Sequence, residues 1–474
     1  MDTKWAEGLT FRDGPKYLVL RDAIARAVEQ GHLAVGSKLP PVRELAYRLS
    51  ITPGTVARAY SILTDQGVLR GEVGRGTFVD QVAGPVFSDP GPEKRIATYY
   101  DPVPHGTRHR GGPVSMMSPG IPSLGQAEYL RGALADIARD PPSGLMHYPT
   151  RESFAPVRAA AKHWLRHSRL GALDEIDIVL AHGGQNAIML VMQAVLRGRR
   201  PTVLVEELCY RGFRRGAQLL RADVVPVAMD EYGIIPEALE AAAGAEAQLL
   251  CTTANLHNPT CTFTPEARRR EIAEVARRCN FHILEDDWYQ VPGLDAPSYR
   301  QIAPERSWFV TSISKLVTPS LRIGFAVSPP GGGAHLRRAA EDGFFGLATV
   351  LADLGVVLMT DPHVEDLVEQ VRASYRERQR ILLNHLGGYD IKWQENSPIV
   401  WLELPEHWRT AAFCAASEAQ GVRVRTSEDF SPRDARVKHA VRLSLNASVP
   451  KEAFEEAAVK LAKLLESPPE RVAV

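Results

Sequence analysis

The sequence lacks paired cysteines. Its 474 residues contain five cysteines, an odd number with no Cys-x-x-Cys pair: Cys209, Cys251, Cys261, Cys279 and Cys414. This usage excludes a disulfide framework and zinc knuckles, so no structural metal is expected. A reducing cytoplasm is the expected compartment.

Long apolar runs are also missing. No uninterrupted stretch of about 18 apolar residues occurs, as a membrane-spanning helix would need. The opening segment MDTKWAEGLTFRDGPKY has no apolar signal core. We therefore expect a protein that is neither secreted through a cleavable signal nor inserted in a membrane.

The chain has no net charge. Lys and Arg together number 56, as do Asp and Glu, so no overall field would draw it to nucleic acid or to an anionic membrane. Any DNA affinity must come from a local patch. One such patch lies near the N-terminus, in Arg43, Arg48, Arg58, Arg70 and Arg75.

The length of the chain predicts two or three domains. We expect residues 1–80 to form the first of them. A helix is expected where four apolar residues recur at near-helical spacing: Tyr17, Leu20, Ile24 and Val28. Two more helices are predicted on either side of the turn ITPG, one in LPPVRELAYRLS and one in TVARAYSILTDQG. A hairpin is predicted from the two short apolar segments VLRGE and GTFVD.

This order is typical of a winged helix-turn-helix, in which the second helix of the pair enters the DNA major groove. Thr52 is placed to cap that helix, and Pro53 suits its first turn. The residues expected to contact DNA are Arg43, Thr52, Thr55, Arg58, Arg75, Gly76 and Thr77. The alternative is a three-helix domain that binds protein or has no partner.

Residues 81–114 are rich in Pro and Gly and show no periodicity, which predicts a linker. Tyr99 and Tyr100 leave open a loop packed on the next domain. From residue 115 to 474, helical stretches alternate with short β-rich runs, which predicts an α/β domain with a mostly parallel sheet. Beyond about Gly343, long helices and a final β-rich region predict a smaller α+β subdomain.

Polar residues cluster where predicted strands end, which is where open α/β sheets bind ligands. AHGGQNA would place the backbone N–H groups of Gly184 and Gln185 at a helix N-terminus, a site suited to phosphate. Two glycines also suit a plain tight turn. ILEDDWYQ ends a strand in three acids, and burial of Asp286 would call for a cation. A solvated acidic loop is the alternative.

TSISKLVTPSLRIGF places Lys315 at a strand end and Arg322 seven residues later. A lysine enclosed in such a site forms a Schiff base with an aldehyde, because loss of solvent favours the neutral amine. A surface lysine is the plain alternative. Taken in this order, a phosphate site, a buried acid, a lysine and a further arginine match pyridoxal 5′-phosphate (PLP).

These motifs carry a resemblance to known families. Residues of roughly 115–470 resemble the fold-type I, class I/II aminotransferases through SISK with Arg322, through DDWY and through NPT. The N-terminal block resembles GntR-type winged helices through GSKLPPVRELA, TVARAYSILTDQGVL and GRGTFV. The whole chain resembles the MocR subfamily of bacterial transcription regulators.

The resemblance implies roles for the matching residues. Lys315 would form the internal aldimine with PLP, and Asp286 would pair with the protonated pyridine nitrogen. Tyr289 and Asn258 would hydrogen-bond the ring oxygen, and Tyr210 would stack on the ring. The acid would keep the ring nitrogen protonated, which makes the ring an electron sink.

Other residues would bind the phosphate of PLP and the effector. The resemblance implies that Ser312, Arg322 and the amides of Gly184 and Gln185 hold the phosphate. Tyr148 would reach the phosphate of the neighbouring subunit, which implies a homodimer. Arg442 would bind a carboxylate in a bidentate pair.

Several positions depart from the aminotransferase pattern. Cys261 and Ser153 stand where glycine is common, Gly184 stands where a serine often adds a hydroxyl, and EELCY lacks the usual proline. These changes affect fast turnover more than cofactor binding. In the DNA-binding block, Thr52-Pro53-Gly54-Thr55 replaces the frequent Ser-Arg-Asn-Thr, so Arg43, Arg58 and Arg75 must carry more of the contact with DNA phosphates.

The leading hypothesis is a PLP-dependent, DNA-binding transcription regulator that senses an amino compound through the Lys315 aldimine. A second hypothesis is a functional aminotransferase with an accessory DNA-binding domain. A third, a degenerate domain without PLP, is disfavoured because Lys315, Asp286, Tyr289 and Arg322 are all present.

Overall fold

The computed structural model describes Trp5 and residues 15–65, 68–72, 76–80, 112–142, 145–244, 246–294, 296–431 and 438–467. The chain divides into two compact units, residues 1–107 and 108–474. No helix of the described residues is long and apolar enough to cross a membrane.

The first unit is a three-helix domain with a hairpin. Its elements are α1 (Lys16–Glu29), α2 (Val42–Arg48), α3 (Pro53–Asp65), β1 (Leu69–Glu72) and β2 (Gly76–Val79). Leu20, Ile24, Leu45, Val56 and Leu63 are fully buried and pack together. β1 and β2 pair antiparallel, with Leu69 opposite Val79. The predicted winged helix-turn-helix arrangement is therefore confirmed for the described residues.

The strands of the second unit form one large sheet and several small ones. They are β3 (Val114–Ser115), β4 (Ile178–His182), β5 (Thr202–Glu206), β6 (Asp223–Val227), β7 (Met229–Asp230), β8 (Gly233–Ile234), β9 (Ala247–Thr252), β10 (His282–Asp286), β11 (Ser307–Ser312), β12 (Ile323–Val327), β13 (Ile391–Lys392), β14 (Ile399–Glu403), β15 (Val422–Arg423), β16 (Arg425–Thr426) and β17 (Ala440–Ser444).

Twelve helices of the described residues surround these strands. They are α4 (Gln126–Arg139), α5 (Ala155–Trp164), α6 (Gly183–Val195), α7 (Arg211–Leu219), α8 (Pro236–Ala243), α9 (Glu266–Arg278), α10 (Tyr299–Ile302), α11 (Gly333–Phe344), α12 (Thr349–Thr360), α13 (Pro362–Leu386), α14 (Thr410–Ala419) and α15 (Lys451–Glu466).

The large sheet has seven strands in the order β4-β12-β11-β10-β9-β5-β6. All neighbours pair parallel except that β12 runs antiparallel to β11 and β4. Its central strands are buried along their length because helices cover both faces, which suits their near-continuous apolar sequences. All seven strands fall on β-rich runs that the sequence predicts.

A second, four-stranded sheet has the order β13-β14-β17-β16. It packs with α13, α14 and α15 and forms the smaller α+β part that the sequence predicts. Val114, which the sequence places at the end of the linker, instead begins β3 and pairs with Val422. The short β3 carries Met116 and Met117 towards the small sheet, since Ser444 donates to the Met116 carbonyl.

Candidate functional site

The turn from β4 into α6 is built around a close approach between a glycine and an arginine. Gly183 has φ +76°, and a β-carbon added there would lie 2.5 Å from Arg322 Nη2. Gly324 on β12 lies close to the backbone of the same turn, since a β-carbon added to Gly324 would lie 2.6 Å from the Gly183 carbonyl carbon. Only glycine therefore lets the Arg322 guanidinium lie against the first turn of α6.

Ser312 faces the same helix start. Its hydroxyl lies 3.9 Å from the position that a Gly184 β-carbon would take, and it accepts a hydrogen bond from Ser314 N at 3.4 Å. The predicted phosphate residues Gly184, Ser312 and Arg322 thus lie together at the N-terminus of α6. Because N–H groups at a helix start are free to bind an anion, this arrangement suits a phosphate.

The Gln185 side chain points away from that helix start to a neighbouring helix. Its Nε2 donates to the Gly212 carbonyl at 3.2 Å. A β-carbon on Gly212 would lie 2.1 Å from a ring carbon of Tyr210, so Gly212 allows Tyr210 and Gln185 to meet. Tyr210 is partly buried and contacts Phe213 edge to face. Only the backbone of Gln185 remains for a phosphate.

The three acids that end β10 have different environments. Glu285 lies 3.4 Å from Arg269 and accepts from Tyr299 N, and Asp287 accepts from Gln290 N at 3.2 Å. Asp286 is 5% exposed. Among the described residues, no hydrogen bond or ion pair to its carboxylate is present. Burial, followed by the charges of Asp287 and Glu206, raises the pKa of Asp286 well above its ordinary value.

Glu206 is a buried acid that the sequence analysis did not single out. It ends β5, accepts from Thr252 Oγ1 at 2.6 Å and from Thr253 N at 2.8 Å, and lies 3.5 Å from His257 Nε2. Its Oε2 is buried without a hydrogen-bond partner among the described residues. The sequence carries a weak signal for it, because Glu206 ends a predicted strand as Asp286 does.

Lys315 ends a short 3₁₀ turn after β11 and is partly buried. Burial, followed by the charges of Arg442, Arg322 and Arg425, lowers the pKa of its amine from 10.5 to about 8. The charges of three arginines therefore act on the predicted reactive lysine, and near neutral pH more of its amine is neutral and nucleophilic than in an ordinary lysine.

We expect this pKa to set the pH dependence of aldehyde capture. Below pH 8 the rate of Schiff-base formation between cofactor-free protein and an aldehyde should rise about tenfold per pH unit. It should level off above about pH 8, because the amine is then neutral. Stopped-flow absorbance checks this, with N-acetyl-lysine amide as the control. A rate that keeps rising through pH 10 would contradict the lowered pKa.

Arg442 on β17 reaches across to the large sheet. Its Nη1 donates to Asn258 Oδ1 and its Nη2 to the Met117 carbonyl, each at 2.6 Å. Its guanidinium lies 4.9 Å from the centre of the Phe430 ring. The structure thus brings together Arg442 and Asn258, which the resemblance assigns to the effector and to the ring oxygen.

Tyr289 is not joined to the other predicted site residues by any described contact. Its ring packs against Tyr375 of α13 with centroids 6.0 Å apart, and its hydroxyl is buried without a hydrogen-bond partner among the described residues. Burial raises its pKa above the ordinary value, and the charges of Arg372 and Arg376 oppose that rise only in part. The ring-oxygen role of Tyr289 stays a prediction.

Tyr148 lies on the surface and is 84% exposed. Its ring centroid is 6.2 Å from that of Phe345, which is 74% exposed. Leu145 and Met146 are exposed beside it in sequence. Within the single chain, Tyr148 makes no described contact with the Lys315 region, and its role towards a neighbouring subunit stays a prediction.

Arg425 is an arginine next to Arg442 in the small sheet that the sequence analysis did not single out. It lies directly opposite Arg442 on the adjacent strand β16, and its Nε donates to the Met117 carbonyl at 2.9 Å. The alternation in VRVRTS is a signal for a strand, but it does not tell which sheet face the arginines occupy.

The exposed face of α3 carries the predicted DNA contacts. The Thr52 hydroxyl accepts from Thr55 N at 3.4 Å and lies 2.9 Å from the Thr55 hydroxyl, which confirms the predicted cap, and Pro53 begins the helix. Arg58 is exposed, and its guanidinium stacks 4.2 Å above the ring of Tyr17 in α1. That contact fixes the direction of Arg58 while its N–H edges stay available.

The remaining predicted contacts lie around the hairpin and on α2. Arg43 and Gly76 are exposed and Thr77 is partly buried, whereas Arg75 lies outside the described residues. The Lys38 side chain lies over Gly76, since a β-carbon there would be 2.7 Å from Lys38 Cε. Lys38 is a further cation beside the hairpin that the sequence analysis missed.

A cavity of about 720 Å³ lies next to the segment after β10. Asp287, Gln290 and Leu316 line it, and each follows a predicted site residue by one position. Some of the charged side chains that line the cavity form ion pairs: Arg166 lies 2.7 Å from Glu365, and Arg372 lies 3.8 Å from Glu369. The Lys315 cluster does not line this cavity.

The residues present fit PLP. A protonated pyridine nitrogen would supply the cation that favours the charged form of Asp286, which is buried and has no bonding partner among the described residues. The approach of Arg322 to Gly183 leaves two sets of N–H donors side by side for a phosphate. Lys315, with a lowered pKa, is suited to an aldehyde.

Comparison with protein families identifies both units. Residues 120–461 match the model of the class I and II aminotransferases, and residues 16–79 match that of the bacterial regulatory proteins of the gntR family. The predicted fold class, a winged helix-turn-helix followed by a fold-type I domain, is confirmed.

Individual relatives agree with this. The chain is 26% identical over 475 residues to the HTH-type transcriptional regulator YdeF of Bacillus subtilis, covering 98% of this chain and 97% of that protein. It is 28% identical over 443 residues to PtsJ of Salmonella typhimurium, a vitamin B6 salvage pathway transcriptional repressor, covering 92% and 95%.

A solved structure supports the fold of the large unit. The multiple substrate aminotransferase of Thermococcus profundus superposes with a TM-score of 0.67 at 20% identity, covering 77% of this chain and 94% of that one.

Proposed function

The chain belongs to the class I and II aminotransferase family and, with its gntR-type head, to the MocR subfamily, and from this premise we propose that it is a PLP-dependent transcription regulator. It binds operator DNA through the first unit and senses an amino compound at Lys315 in the second. The carrying observation is Lys315 itself, a partly buried lysine just after strand β11 whose pKa is lowered by burial and by the charges of Arg442 and Arg322, in a chain with a gntR-type DNA-binding unit.

The phosphate of PLP is assigned to the start of α6. The backbone amides of Gly184 and Gln185 would donate to it together with the Ser312 hydroxyl and the Arg322 guanidinium. Positive φ at Gly183 and the lack of a side chain there support this, because they let the arginine and the helix start face one anion.

The ring of PLP is assigned to the residues between the two sheets. Asp286 would hold the pyridine nitrogen protonated, Asn258 and Tyr289 would bind the ring oxygen, and Tyr210 would stack on the ring. When bound, PLP supplies an electron sink and an aldehyde that reacts with amines. Lys315 would hold that aldehyde until an effector amine takes its place.

Sensing requires that the effector prefers one conformation of the protein. Arg442 would hold an effector carboxylate, and displacement of Lys315 would leave a free amine on which the charges of three arginines already act. A ligand shifts a conformational equilibrium only by its differential affinity for the two states. The freed Lys315 amine supplies one such difference.

We include a homodimer in the proposal. Tyr148 would reach the phosphate bound by a neighbouring subunit, and the exposure of Tyr148, Leu145, Met146 and Phe345 supports an interface there. The protein would act in the cytoplasm, where operator DNA is accessible.

A functional aminotransferase is the second candidate, because Lys315, Asp286, Arg322 and Arg442 are all retained. It would give steady turnover with an amino donor and a 2-oxoacid. PtsJ and YdeF, both named as transcriptional regulators and matched over nearly the whole chain, favour the regulator.

Footprinting on the DNA upstream of its own gene tests the regulator. We expect one protected site whose protection or affinity changes when an amino acid, a γ-amino acid or an aminosulfonate is added to PLP-loaded protein. Absence of a specific site with and without each amine would rule out the proposal, and multiple turnovers with a 2-oxoacid would favour the enzyme.

Arg43→Ala and Arg58→Ala should each weaken operator binding about tenfold at moderate salt. Each loss of a phosphate contact should also reduce the slope of log K against log salt by about 0.9. Fluorescence anisotropy across a salt series measures both. Arg26→Ala, an exposed arginine in the last turn of α1, serves as the matched control and should leave the slope unchanged. Unaltered slopes for Arg43 and Arg58 would place them outside the interface.

A further inference from the structure

Gln290 follows the predicted site residue Tyr289 and has an uncommon backbone conformation. Its φ is +56°, in the left-handed region that residues other than glycine, asparagine and aspartate seldom adopt. A residue stays in such a conformation only where the surrounding structure holds it there, and residues of this kind cluster at functional sites. The contacts that hold Gln290 must therefore offset this strain.

Four hydrogen bonds hold Gln290 in place. Its side-chain Oε1 accepts from Trp164 Nε1 at 2.9 Å, and its Nε2 donates to Ser168 Oγ at 3.4 Å. Its backbone N–H donates to the Asp287 carboxylate at 3.2 Å, and its carbonyl accepts from Arg372 Nη2 at 3.2 Å. One residue thus connects the segment after β10 to the end of α5 and to α13.

These contacts lie where close packing of the segment is interrupted. Gln290 and the four residues that bond to it all line the cavity of about 720 Å³. Protein interiors are otherwise packed as densely as organic crystals, so a side chain is usually fixed by its neighbours. Beside this cavity, directional hydrogen bonds must fix the segment instead.

Tyr289 is held from both of its sides along the chain. Before it, Trp288 Nε1 donates to the Leu256 carbonyl at 2.9 Å. After it, Gln290 makes its four hydrogen bonds. The Tyr289 hydroxyl is buried without a hydrogen-bond partner among the described residues, so no hydrogen bond of its side chain fixes the direction of the ring. A shift of Gln290 would therefore move the tyrosine next to it.

We propose that Gln290 is a positioning residue, whose hydrogen bonds to Trp164 and Ser168 fix the direction in which Tyr289 presents its hydroxyl to the ring oxygen of PLP. The ring-oxygen role of Tyr289 itself rests on the proposed function. Because a hydrogen bond is lost when it lengthens by less than about 1 Å, Gln290 affects the cofactor without touching it.

The alternative is that Gln290 only stabilises the fold. Its replacement would then lower the unfolding temperature and leave the surroundings of Tyr289 and of bound PLP unchanged. Gln290→Gly separates the two roles, because glycine adopts a positive φ without strain and only the side-chain bonds are lost. Asn280→Gly is the matched control, since Asn280 is exposed, has φ +55° and lies just before the opposite end of β10.

The first measurement is the pH midpoint of the absorbance change of lysine-linked PLP. A donor to the ring oxygen takes up part of its negative charge and weakens its hold on the proton of the linked nitrogen, so loss of the donor raises the midpoint. Tyr289→Phe should raise it by about one pH unit, a tenfold change in proton affinity expected for one hydrogen bond. Gln290→Gly should raise it by about half a unit, because the bond is weakened rather than removed. Asn280→Gly should leave it unchanged.

Trp164→Phe provides a second variant that leaves Gln290 in the chain. It removes the donor to Gln290 Oε1 and keeps an aromatic ring, and it should raise the midpoint in the same direction as Gln290→Gly. The two changes together should raise it by less than the sum of their separate effects, because both break the same bond. This variant also keeps the proposal testable if Gln290→Gly does not fold.

The second measurement needs no cofactor. With a fluorinated tyrosine in place of Tyr289, the fluorine resonance reports the surroundings and motion of that ring. Wild type and Asn280→Gly should each give one resonance at the same chemical shift. Gln290→Gly should give a displaced or broadened resonance, because the ring is no longer held in one direction.

A Gln290→Gly protein with the wild-type midpoint would overturn the proposal, as would one with the wild-type fluorine resonance. The failure of the proposed function looks different. A protein that takes up no PLP would refute the proposed function, while the fluorine resonance would still decide whether Gln290 positions Tyr289. A PLP-loaded, DNA-binding protein in which only Tyr289→Phe moves the midpoint would refute the role of Gln290 alone.

Discussion

Replacing Lys315 with alanine should abolish the covalent attachment of PLP. The purified variant should lack the visible absorbance of lysine-linked PLP, and borohydride should fix no cofactor to the chain. The reason is chemical, since alanine has no amine with which to form the covalent link. Absorbance spectra and the mass of borohydride-treated protein measure the loss, which should be complete rather than partial.

The same variant should also lose its response to effectors. If exchange at Lys315 is the signal, DNA binding by Lys315→Ala should be unchanged by amines that alter binding by the wild type. Lys392→Ala is the matched control, because Lys392 is a partly exposed lysine of the same unit, 3.4 Å from Glu403. A Lys315→Ala protein that keeps a borohydride-fixed cofactor would show that another lysine is the anchor.

Replacing Asp286 with asparagine should have opposite effects on cofactor binding and on stability. With PLP, the variant loses a buried ion pair to the pyridine nitrogen, which costs about 3–5 kcal/mol, or roughly 150- to 5,000-fold in affinity. Without PLP, the variant should be more stable than wild type at neutral pH, because burial disfavours the Asp286 carboxylate.

The direction of the stability effect follows from the raised pKa. In cofactor-free wild type the folded state holds the Asp286 proton more tightly than the unfolded state does, so stability falls as pH rises above the unfolded value of 3.8. Asparagine does not ionise. The gain in Tm of Asp286→Asn should therefore be small near pH 3 and grow towards neutral pH.

Thermal unfolding across pH and PLP titration by fluorescence measure the two effects. Asp287→Asn is the matched control for affinity, since Asp287 is as buried but bonds to Gln290 N. It should leave PLP affinity within a few-fold of wild type. If Asp286→Asn bound PLP as tightly as wild type, Asp286 would not be the partner of the ring nitrogen.

The sequence determined the architecture to a large extent. Local apolar runs and turn residues predicted all seven strands of the large sheet, and the helices and hairpin of the first unit, because buried parallel strands and amphipathic helices require those patterns. The order of motifs singled out Lys315, Asp286 and Arg322, since residues at strand ends of an α/β sheet converge. The domain boundaries and the roles of these residues stay predictions.

The tertiary structure decided which side chains meet. Local sequence carries no record that Arg425 lies opposite Arg442, because strand pairing joins segments that are far apart or separated by a turn of unknown register. Nor does it tell that the Tyr289 ring packs on Tyr375, or that Cys261 adopts φ +62° where glycine is common. Those outcomes depend on packing across the whole unit.

The charges of the protein also depend partly on the sequence and partly on the tertiary structure. The sequence by itself fixed which ionisable groups are present and balanced their number at 56 of each sign. Only the folded chain decided that the charges of three arginines act on Lys315, and that Asp286 is buried without a hydrogen bond or ion pair among the described residues. The physical reason is that Coulomb energy and desolvation depend on distance and burial in three dimensions, which neighbouring residues along the chain do not specify.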